Sequence, residues 1–137
     1  KEDIQLITKY INQSDRLNAT IQTVDSIKKA KTVMFYEKID ILLIPGGLGT
    51  RKLIKNEAVI DWIKDISNNA SLLTSVCTGS LLLAKAGLLK NKKATTHWGA
   101  LELLKSISGS TKVVSNERVV KDSVITSAGV SSGIDME

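Results

Sequence analysis

Cysteine and histidine each occur once in this sequence, at Cys77 and His97. One cysteine excludes an intramolecular disulfide and any multi-cysteine metal centre, and one histidine excludes a histidine-rich zinc site. No metal site is expected and no cofactor is called for. Aromatic residues are scarce, with one Phe, two Trp and two Tyr, too few for a platform on which bases could stack. Pro45 is the single proline, so there is no Pro-rich linker and no evident domain boundary. The longest apolar stretches, such as Ile41 to Pro45 and Leu81 to Ala84, fall far short of the roughly 20 residues that span a bilayer. The chain opens Lys1-Glu2-Asp3 without the pattern of a signal peptide, and the expected compartment is the reducing cytoplasm.

What is present is an ordinary globular composition: 137 residues, 42% hydrophobic and 24% charged. That length suits one domain with a real core. The net charge is +5, which raises the question of nucleic acid. The lysines are scattered, in runs no longer than two (Lys28-Lys29, Lys92-Lys93), with almost no interleaved aromatics. A solvated basic surface is expected, not a nucleic-acid partner.

Alternating polarity predicts a strand over Asp3 to Ile11, a turn over Asn12 to Asp15 and a second strand over Ala19 to Val24, with a short piece at Val33 to Phe35. Ile39 to Ile44 is nearly continuous and β-branched, which predicts a strand buried on both faces of a parallel sheet. Pro45-Gly46-Gly47-Leu48-Gly49 ends it. Asn56 is placed to cap a helix whose apolar stripe is Val59, Ile60, Ile63 and Ile66. Ser71 to Val76 reads as another buried strand, followed at once by a helix over Ser80 to Ala86 that Gly87 stops. Ala94 to Thr96 reads as a short strand. Trp98 to Ile107 reads as a helix with Trp98, Leu101, Leu104 and Ile107 on one face. Lys112 to Val114, Arg118 to Lys121 and Val124 to Ser127 read as strands. Alternation of this kind predicts an α/β sandwich, in which ligands bind at the carboxyl ends of the strands.

Two loops at such ends carry chemistry. In Ser75-Val76-Cys77-Thr78-Gly79 a buried strand runs into a helix with Cys77 at the turn. That is the form of a nucleophile elbow, with small residues Ser75 and Gly79 two before and two after. The bland alternative is a cysteine serving as a small core hydrophobe. Gly46-Gly47 lets the backbone turn and expose N–H groups that could act as an oxyanion hole. Rivals are a purely structural turn and a phosphate cradle, though the loop lacks the P-loop and dinucleotide spacings. His97 is either a capping residue or a proton partner for Cys77.

These segments resemble the ThiJ/PfpI family of the class I glutamine amidotransferase-like superfamily. The motifs are Ile41-Leu42-Leu43-Ile44-Pro45-Gly46-Gly47, Ser75-Val76-Cys77-Thr78-Gly79-Ser80, Ala86-Gly87-Leu88-Leu89, Ala94-Thr95-Thr96-His97-Trp98 and the run from Thr126 to Met136. The resemblance implies a flavodoxin-like three-layer α/β/α sandwich with a mainly parallel sheet and a nucleophile elbow. The Ser-Val-Cys-Thr-Gly and Ala-Thr-Thr-His-Trp forms are similar to two branches: isonitrile hydratases, and the amidase-like domain of AraC-type transcription regulators. The protease branch has histidine after the cysteine, where this chain has Thr78, although such proteins are often labelled intracellular protease/amidase. The branch of the Parkinson's-linked deglycase and chaperone also carries a histidine at the position of His97.

The implied activity is that of a cysteine-dependent hydratase or amidase-like enzyme on a small-molecule substrate. Cys77, Thr78 and His97 would be its catalytic residues, and Gly46, Gly47 and Thr78 its backbone donors. The alternatives are a ligand-sensing domain of a regulator and a redox-responsive stress protein. A homodimer is expected by resemblance alone. The family's domain is longer, so the expectation is one domain over residues 1–137 that lacks the family's N-terminal strand and helix, with its sulfur-bonding acid, and its C-terminal helix. No carboxylate here takes the role of that acid.

Overall fold

The computed structural model describes residues 38–129. The strands expected over 3–11 and 19–24, the piece at 33–35 and the last motif residues from Val130 onward lie outside them. The described chain runs β1 (Ile39–Ile44), α1 (Thr50–Leu53), α2 (Glu57–Ser67), β2 (Ala70–Val76), α3 (Gly79–Lys85), β3 (Lys93–Ala94), a 3-10 turn (Trp98–Ala100), α4 (Leu101–Ile107), β4 (Lys112–Val113), β5 (Val119–Lys121) and β6 (Val124–Ser127). The fold is α/β. β1, β2 and β6 are parallel, and β5 closes the edge antiparallel to β6, in the order β1-β2-β6-β5. β3 and β4 pair separately as a short parallel ladder.

The order places β2 in the middle. Its neighbours are fixed in register by Leu42 beside Leu73 and Ile44 beside Ser75 on one side, and Leu73 beside Val124 and Ser75 beside Thr126 on the other. Those six residues share one face, because side chains alternate along a strand, and all six are buried. α3 packs against β1 and β2, α2 against β2 and α3, and α4 against α3. Leu81, Leu83, Leu89 and Leu104 are fully buried where these elements meet. Truncating any of them to Ala would cost about 2–5 kcal/mol in transfer and cavity terms.

Local chemistry sets the boundaries. Pro45 has no N–H to continue the β1 ladder. Asn56 caps α2, its side-chain oxygen accepting the Val59 N–H at 3.3 Å. α3 stops at Gly87, which takes φ +78. The Gly87 N–H reaches Ala84 O and the Leu88 N–H reaches Leu83 O, the paired bonds that a left-handed residue after a helix permits.

Two expectations change and one element is new. β1 is not buried on both faces: Ile41 and Leu43, opposite Leu42 and Ile44, are 62% and 49% exposed. The helix expected over 98–107 begins as a 3-10 turn. Its three residues per turn break the phase of an α-helical stripe, so Trp98 stands 80% exposed while Leu104 is buried. The short helix α1 was not anticipated, because Thr50 to Leu53 is too brief to show a period. Among the described residues no helix is long and apolar enough to cross a membrane.

The β5–β6 turn clamps β3 through Asp122, whose carboxylate accepts the Lys93 N–H at 2.9 Å and the Ser123 N–H at 2.6 Å. The Lys93 backbone bond foremost, then that from Ser123, holds this carboxyl below its ordinary range, and the Lys92 and Lys93 charges add to the effect. A depressed folded-state value means the clamp contributes fully above the unfolded value of about 4 and is lost as pH falls through the folded one. The melting temperatures of wild type and Asp122→Asn should therefore differ most near pH 6, and the gap should narrow as pH falls below about 4. A gap independent of pH would contradict this assignment.

Candidate functional site

At the carboxyl end of β2 the chain turns into α3 through Cys77, whose φ of +57 lies in the left-handed region. A non-glycine residue there costs about 1–3 kcal/mol, so the surroundings must hold it. They do so through both of its backbone groups. The Cys77 N–H donates to Ser127 O, at the end of β6, at 2.9 Å. The Cys77 carbonyl accepts from Thr96 Oγ1 at 3.0 Å and from Ser80 Oγ at 3.3 Å. Three separate segments thus grip one residue, and at about 0.5–1.5 kcal/mol per bond they offset the strain.

Glycine is required on both sides of this turn by contact. A Cβ built on Gly79 would collide with the Ile44 carbonyl oxygen, and would lie 2.9 Å from Ile44 C and 3.0 Å from Pro45 C. A Cβ on Gly46 would lie 2.6 Å from Thr78 N, 2.7 Å from Thr78 Oγ1 and 2.9 Å from Cys77 Cβ. The β1 loop and the elbow therefore touch backbone to backbone. Ser75, two before Cys77, is fully buried, and its hydroxyl has no hydrogen-bond partner among the described residues.

Of the expected site residues, the fold brings Gly46, Gly47, Cys77 and Thr78 together. Gly47 is not poised as a direct oxyanion donor, because its N–H points at Thr78 Oγ1 at 3.0 Å. His97 caps the 3-10 turn, its Nδ1 accepting the Gly99 N–H at 3.2 Å, with its ring 5.2 Å from that of Trp98. The hydrogen bond from this segment to Cys77 comes from Thr96, one residue earlier. Sequence reasoning missed Thr96 and also Thr50, a buried threonine bonded to Gly47 O and to Thr78. The only local hint was that each lies in a segment that follows a strand, Thr50 after β1 and Thr96 after β3. Among the described residues no group of three or more His, Cys, Asp or Glu side chains could hold a metal ion.

A family model described as the DJ-1/PfpI family matches residues 6–137. The chain belongs to the DJ-1/PfpI family. Its relatives in the family include the isonitrile hydratase of Pseudomonas putida, 37% identical over 134 residues, a match covering 97% of this chain and 56% of the hydratase. The HTH-type transcriptional regulator CdhR of Pseudomonas aeruginosa is 30% identical over 100 residues, which is 73% of this chain and 30% of the regulator. The chain thus spans just over half of the hydratase and less than a third of the regulator. Among solved structures, a ThiJ/PfpI family protein from Pseudomonas syringae superposes with a TM-score of 0.63 at 38% identity, covering 72% of this chain and 40% of that one. DJ-1beta of Drosophila melanogaster gives a TM-score of 0.64 at 26% identity, over 77% of this chain and 55% of that one.

The contact at Gly79 is with backbone, which cannot swing aside. Even Gly79→Ala should therefore destabilise the protein by about 1–3 kcal/mol or more, of the order of overpacking. Urea titration checks this. An unchanged midpoint would mean that β1 and α3 do not meet there.

Proposed function

We propose that the protein is a cysteine-dependent hydratase that adds water to a small isonitrile. The observation that carries this reading is 37% identity to an isonitrile hydratase across 97% of the chain, joined to a cysteine at a left-handed strand-to-helix turn. The steps balance without an oxidant or co-reactant. The Cys77 thiol adds to the isonitrile carbon: a C–S bond forms and the carbon takes a proton, which gives a thioimidate. Water then adds to that carbon, the nitrogen is protonated, and the C–S bond breaks. The products are the N-substituted formamide and free thiol.

The residues divide this work by position. Cys77 supplies the nucleophile. The Thr78 backbone N–H, next in the chain, stabilises developing negative charge, and the Thr78 hydroxyl holds the attacking water. Gly47 acts through that hydroxyl, to which its N–H is bonded. His97 is the proton carrier of the reading. Its Nδ1 accepts from Gly99, which leaves Nε2 as the protonated nitrogen of a neutral ring.

A second reading is a ligand-sensing domain, favoured by the similarity to CdhR. Such a domain would bind a small ligand without turning it over. Formamide production from an alkyl isonitrile, followed by chromatography, separates the two. Wild type should form product, and Cys77→Ala should fall to the uncatalysed rate, a loss of at least about 10². Turnover that survives Cys77→Ala would contradict the proposal, and binding without turnover by wild type would favour the sensor.

A further inference from the structure

We propose that Thr50 is a positioning residue for Thr78, closing a ring of hydrogen bonds that fixes the direction of the Thr78 hydroxyl beside Cys77. Four groups take part. The Gly47 N–H donates to Thr78 Oγ1 at 3.0 Å. Thr78 Oγ1 and Thr50 Oγ1 lie 3.0 Å apart, both buried. Thr50 Oγ1 donates to Gly47 O at 2.7 Å, while Thr78 Oγ1 is 3.3 Å from the same oxygen.

Each hydroxyl has a single proton to give. The shorter bond to Gly47 O takes the Thr50 proton. The Thr78 proton is then directed at Thr50 Oγ1, which has lone pairs free to receive it. The ring runs from Gly47 N–H to Thr78, from Thr78 to Thr50, and from Thr50 back to Gly47 O. Every donor in it has an acceptor and all point the same way around, the arrangement in which neighbouring bonds strengthen one another. Without the Thr50 hydroxyl, Thr78 would turn to the longer contact with Gly47 O or rotate freely. Thr50 thus meets the Thr78 side chain from the start of α1, 28 residues away in sequence, and is anchored for that contact by its bonds to Gly47 O.

The consequence for chemistry rests on the hydratase reading, but the ring itself does not. The test uses Thr50→Val, which keeps the volume and removes the hydroxyl, Thr50→Ser, which keeps the hydroxyl, Thr78→Val, and the Thr50→Val/Thr78→Val double variant. Amide exchange of Gly47 by NMR reads the ring, and formamide production from an alkyl isonitrile reads its effect. Thr50→Val should speed Gly47 exchange and lower kcat, each about three- to tenfold, the worth of one hydrogen bond, with KM within about twofold. Thr50→Ser should restore both values. The double variant should be no slower than Thr78→Val alone, since Thr50 acts through that side chain. Gly47 exchange unchanged in Thr50→Val, a serine variant as impaired as the valine one, or additive losses in the double variant would each overturn the assignment. Absence of turnover by wild type would instead count against the hydratase reading, and Gly47 exchange would still decide for or against the ring.

Discussion

The structure turns on one backbone constraint, the left-handed conformation of Cys77 between β2 and α3. Nothing in the residue itself favours that conformation, since a side chain at positive φ crowds its own carbonyl. It persists because the N–H is bonded to the end of β6 and the carbonyl to Thr96 and Ser80. The central position of β2 makes this possible, with β1 on one side and β6 on the other. Loops from both neighbours then arrive at the same end of the sheet. The site is a product of sheet order as much as of the residues in it.

The second requirement is close approach. The β1 loop meets the elbow at Gly46, and α3 meets the end of β1 at Gly79, both at distances that leave no room for a methyl group. These contacts bring Thr50 and Gly47, from the β1 side, within hydrogen-bond reach of Thr78. The hydroxyls there are buried and mutually satisfied, in contrast to Ser75 near the end of β2, whose hydroxyl is buried without a partner among the described residues. Membership of the DJ-1/PfpI family accords with this architecture.

Much of the described fold was legible in the sequence. Continuous apolar runs marked β1 and β2, Asn56 and the stripe Ile60, Ile63 and Ile66 marked α2, and Gly87 marked the end of α3. The juxtaposition of Gly46-Gly47 with Cys77-Thr78 followed from reading both loops at the carboxyl ends of parallel strands. Other features were not legible, for physical reasons. An apolar run such as Ile39 to Ile44 has the same appearance whether one face or two is covered. Trp98 fitted an α-helical stripe, and only the switch to a 3-10 turn carried it outward. The direction of the Gly47 N–H depends on a threonine 31 residues away, and no local pattern encodes a partner at that separation.

The measurement that tests the account most directly is the specific activity of Gly46→Ala toward an alkyl isonitrile, with folding checked by circular dichroism. The added methyl group falls on Thr78 N, Thr78 Oγ1 and Cys77 Cβ. If the close fit of the β1 loop against the elbow sustains the proposed role of Cys77 as nucleophile, the folded variant should lose at least about tenfold in turnover, since small displacements at a reacting centre are costly. A folded Gly46→Ala protein that turns over within twofold of wild type would contradict that account.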